Sequence, residues 1–71
     1  MNHATTRAAT LPEIVKMIQK QYGIGEDSAL RMFYESSTGA SFTDNETGLY
    51  GRSPNFIFGL FLEEQNAREK L

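Results

Sequence analysis

The sequence contains no cysteine, and that absence removes disulfides, thiolate nucleophiles and cysteine-ligated zinc together. Tryptophan is missing too, and the only histidine, His3, stands in a polar N-terminal stretch. One imidazole is too few ligands for a metal centre, and it leaves no histidine base within the folded part. No apolar run approaches the roughly 18 residues that a membrane-spanning helix needs. Charge of one sign is scarce: seven Lys/Arg against nine Asp/Glu leave a net charge of −2, too small to imply a polyanionic partner or an acidic nucleic-acid mimic. Met1–Thr10 also lacks the apolar centre of a signal peptide, so the expected location is cytoplasmic, with no membrane and no cofactor.

What is present is 71 residues, enough for one small domain. A chain of this size buries only about 60% of its unfolded surface. Small folds compensate with disulfides, metals or oligomerisation, and only the last is left here.

Residues 1–9 are small, polar and aperiodic, which predicts a flexible N-terminal arm before a single domain over 10–71. Thr10 and Glu13 form a T-x-x-E capping box, with Pro12 in the first helical turn. Leu11, Ile14, Val15, Ile18 and Tyr22 follow at helical spacing and predict a first helix over Leu11–Tyr22. Gly23 ends it, and Ile24 folds back behind the glycine. Gly25 as N-cap, with Glu26 and Asp27 at the positive end of the helix dipole, opens a second helix. Its stripe is Ala29, Leu30, Phe33 and Tyr34, and it is expected over Glu26–Ser37, or on to Phe42 if Gly39 is tolerated inside it. Ser41–Arg52 reads as a structured loop centred on Asp44–Gly48, with Gly48 supplying a positive φ and Leu49 or Tyr50 packing back on the first two helices. Ser53 and Pro54 start a third helix, expected over Pro54–Glu69, with Glu64 and Arg68 paired across one turn. The fold class expected is all-α: a small three-helix domain with a structured loop between the second and third helices.

Few of these residues point to chemistry. Asp44–Gly48 superficially suggests a calcium loop, but glycine falls fifth rather than sixth and Asn55 takes the place of the bidentate glutamate. Thr10–Ser37 has the outline of a helix-turn-helix, yet Glu26 and Asp27 would meet the phosphates, with only Arg31 to offset them. A ribbon–helix–helix reader needs a strand before Leu11, and Ala4–Ala9 lacks bulky inward positions. Glu63 and Glu64 are adjacent on a helix and point apart, so they form no acid–base pair. The chain is therefore expected not to be an enzyme, and nucleic acid is not the expected partner, although a DNA-binding repressor of helix-turn-helix or ribbon–helix–helix type is the second reading.

Four elements carry a resemblance: Tyr22-Gly23-Ile24, Ala29-Leu30, the run Asp44-Asn45-Glu46-Thr47-Gly48-Leu49-Tyr50, and Ser53-Pro54. Over nearly the whole folded part the chain resembles a family of small uncharacterised bacterial proteins, chiefly from Firmicutes. The spacing from Thr-Gly-Leu-Tyr to Ser-Pro is the specific part. Such proteins are often encoded in clusters that look like toxin–antitoxin loci. The resemblance thus implies a partner-binding, antitoxin-like or regulatory role and nothing about catalysis. The chain departs from the pattern at Gly39-Ala40-Ser41, where relatives are bulkier.

The third helix is apolar over an unusually wide arc. At about 100° per residue, Phe56, Leu60, Ile57, Phe61, Phe58 and Leu62 span about 240°, where one core needs little more than about 100°. Phe56 and Leu60, with Ile57 and Phe61, are expected in the core, since that edge continues through Ala67 and Leu71. Phe58 and Leu62 lie on the edge that continues into Gln65 and Glu69, and are the expected protein-interaction residues, toward a partner or a second copy. The competing reading folds Ser41–Arg52 over them within one chain.

Overall fold

A computed structural model describes residues 3–44, 46 and 48–69, without the side chains of residues 3–7 and of Tyr50. The described chain is all helical. Helix α1 spans His3–Tyr22, α2 Glu26–Glu35, α3 Ser37–Thr43 and α4 Pro54–Glu69, with one 3-10 turn at Leu49–Gly51. Four helices replace the three expected. The expectations for His3, Tyr50 and Leu71 as side chains, and for Asn45 and Thr47, lie outside the described residues.

The first difference is at the start. Helix α1 begins at His3, so Thr10 lies inside it and does not cap it, and Pro12 is an internal residue. A proline there removes the bond to the Ala8 carbonyl and costs about 3 kcal/mol in a helix interior. The residues before it include Ala4, Ala8 and Ala9, the best helix former three times over. That propensity carries the helix back across residues expected as an arm. It also leaves no strand among the described residues before Leu11 for a ribbon–helix–helix reader.

The exit from α1 is as expected. Gly23 has φ of 63°, and the N–H groups of Gly23 and Ile24 both donate to the Gln19 carbonyl, at 2.8 and 3.3 Å. Ile24 then packs against the core. Gly25, extended at φ −76°, caps α2 through its carbonyl, which accepts from Ala29 N–H at 3.0 Å.

The second difference is the break at Ser36. Its backbone is extended (φ −83°, ψ 159°), and it closes α2 and opens α3 at once. The Ser36 N–H donates to the Phe33 carbonyl at 3.1 Å, and its hydroxyl donates to the same oxygen at 2.5 Å. That hydroxyl also accepts from Gly39 N–H at 2.9 Å. The chain turns so tightly that a Cβ on Gly39 would stand 1.8 Å from the Phe33 carbonyl oxygen. Gly39 neither ends nor interrupts a single long helix. It lets a new helix start against the last turn of the old one.

The benefit of the turn is Phe42, which α3 delivers into the centre at 1% exposure. Phe33 is the hub: its ring centroid lies 5.5 Å from Phe42 and 6.0 Å from Phe61. Ile14, Val15, Ile18, Ala29 and Ile57 complete the buried core. Tyr34, expected in the stripe of the second helix, is 46% exposed instead. The loop that follows is built from its own turn chemistry. The Asp44 carboxylate accepts from Glu46 N–H at 2.9 Å, and Gly48 takes φ of 69°. Leu49 packs on the core, as expected, and the 3-10 turn meets α3 as well as α1. Ser53 Oγ accepts from Phe56 N–H at 3.2 Å and starts α4.

Candidate interaction surface

Helix α4 sits against α1 on one side and α3 on the other, and two features set its rotation. Ile57 and Phe61 are fully buried. Glu64, one turn further and slightly round the helix, faces the N-terminus of α3. Its carboxylate accepts from Ser37 N–H at 2.7 Å and Thr38 N–H at 2.9 Å, and from the Thr38 hydroxyl at 2.8 Å. Together with Ser36 Oγ it satisfies three successive donors that a helix start leaves without partners. Burial raises the Glu64 carboxyl, but these hydrogen bonds and then the Arg68 charge outweigh it, leaving the pKa below the ordinary value. The Glu64–Arg68 pair itself is loose, at 4.0 Å with Arg68 61% exposed, and is a minor part of what Glu64 does.

With that rotation the expected assignment of the two apolar edges changes. Phe56, expected in the core, is 48% exposed, with the Arg52 guanidinium 5.4 Å from its ring centroid. Phe58, expected at a surface between chains, is half-buried and packs against the core of its own chain. Leu62 is half-buried, and so are Gly59 and Leu60. The physical reason is that the buried direction is the middle of the apolar arc, between Ile57 and Phe61, so that Phe56 and Leu62, its two edges, each stand about 120° from it. Glu64 falls on the buried side as well: a charged residue reads as outward-facing in an amphipathic pattern, whereas here α3 supplies the donors that satisfy it inward. No sequence signal links Ser36-Ser37-Thr38 to a glutamate 26 residues away.

The outward surface of α4 is therefore Phe56, Gly59 and Leu62, with Leu60 beside Phe56, and Asn55, Glu63 and Asn66 exposed around them. A Cβ placed on Gly59 would meet nothing within 4 Å.

Depressions also lie elsewhere. A shallow cleft of about 360 Å³ between α2 and α4 is lined by Met32, Glu35, Gln65, Arg68 and Glu69, and the buried Nε2 of Gln65 has no acceptor among the described residues. An apolar groove between α1 and α2 runs past Leu11, Val15 and Leu30. Among the described residues no three His, Cys, Asp or Glu side chains are grouped to hold a metal ion, and no helix is long and apolar enough to cross a membrane.

Compared with protein-family models, curated proteins and solved structures, the chain matches none of them.

Proposed function

We propose that this protein is a non-enzymatic protein-interaction module that binds through the outward face of α4, as an antitoxin-like or regulatory component of a bacterial locus, in the cytoplasm. The observation that carries the reading is the exposed Phe56 ring with half-buried Leu60 beside it, and half-buried Leu62 on the other edge of the same outward face. Scattered single apolar residues on a surface are ordinary, but a grouped set on a rigid helix is the form that helix-mediated recognition takes. The resemblance to proteins from toxin–antitoxin-like clusters points to the same class of role. Leu62 keeps its expected place in the surface, and Phe56 takes the place expected for Phe58.

The reading against DNA rests on charge. Glu26 and Asp27 are both exposed at the start of α2, the helix that would enter a groove, and they repel phosphate. Co-expression with the product of an adjacent gene tests the proposal. A stable complex that is lost on Phe56→Glu or Leu62→Glu, with the fold retained, is the expected result. A complex indifferent to both changes refutes the assignment to α4.

A further inference from the structure

We draw no further inference here: the strongest candidate, the cleft between α2 and α4 lined by Met32, Glu35, Gln65, Arg68 and Glu69, carries nothing, because the unpartnered Nε2 of Gln65 has almost no surface that a molecule in the cleft could reach and nothing in the structure shows what would fill it.

Discussion

Replacing Glu64 by alanine should remove the cap of α3, and the size of the loss can be worked from the contacts. The carboxylate accepts three hydrogen bonds of 2.7–2.9 Å, two from backbone N–H groups and one from the Thr38 hydroxyl. A hydrogen bond to a charged group is worth about 1.5–3 kcal/mol, which summed naively gives about 4.5 kcal/mol or more. That sum is too large here. Ser37 is exposed, so water replaces part of what its N–H loses, and the Glu64 side chain is itself 18% exposed. A lost helix N-cap costs about 0.5–2 kcal/mol, and Thr38 adds a buried hydroxyl left without its acceptor. The expectation is about 2–3 kcal/mol. With a urea m-value of about 1 kcal/mol/M for a small domain, the midpoint falls by about 2–3 M. The same carboxylate ties stability to pH. Its folded pKa lies below the ordinary value of 4.5, so the unfolded chain takes up the proton first. The contribution is then complete above pH 4.5 and is lost as pH falls through the lower, folded value. Parent and Glu64→Ala should differ most in urea titrations near neutral pH and converge in acid. Equal stability at neutral pH, or a gap that does not close in acid, would refute the account of Glu64 as the cap of α3.

Other substitutions test the remaining elements. Gly39→Ala should cost about 3 kcal/mol or more, because the methyl group meets backbone 1.8 Å away and cannot be relieved by a rotamer; thermal melting checks it. Gly48→Ala should lose about 1 kcal/mol from the strain of φ at 69°, with no change in urea m-value. Pro12→Ala should gain up to about 3 kcal/mol by restoring the bond to the Ala8 carbonyl, seen as slowed amide exchange in α1. In a low-salt mobility-shift assay the chain should show no preference for any DNA sequence. Tight sequence-specific binding at physiological salt, abolished by Arg31→Ala, would refute the charge argument at α2.

Local chemistry was enough, from the sequence by itself, for whatever depends on neighbours a few residues apart. The all-α class follows from the apolar spacing in Leu11–Tyr22 and Glu26–Phe33. The left-handed glycines at 23 and 48, the Asx turn at Asp44 and the Ser53-Pro54 start follow from backbone needs that a single side chain meets. Ile57 and Phe61 were legible as core because both lie in the middle of a wide apolar arc. Three things were not announced by the local pattern. The helix runs through Pro12 because alanine propensity and continuity with the packed part of α1 outweigh one missing hydrogen bond. The break at Ser36 became decisive only when α3 carried Phe42 beneath Phe33, a burial that the pattern of α2 alone does not announce. The inward position of Glu64 was decided by its three donors on α3, and the exposure of Phe56 by the core centring on Ile57 and Phe61. A charged side chain is placed outward by any amphipathic pattern, and only tertiary structure can offer it hydrogen bonds that make the inward direction cheaper.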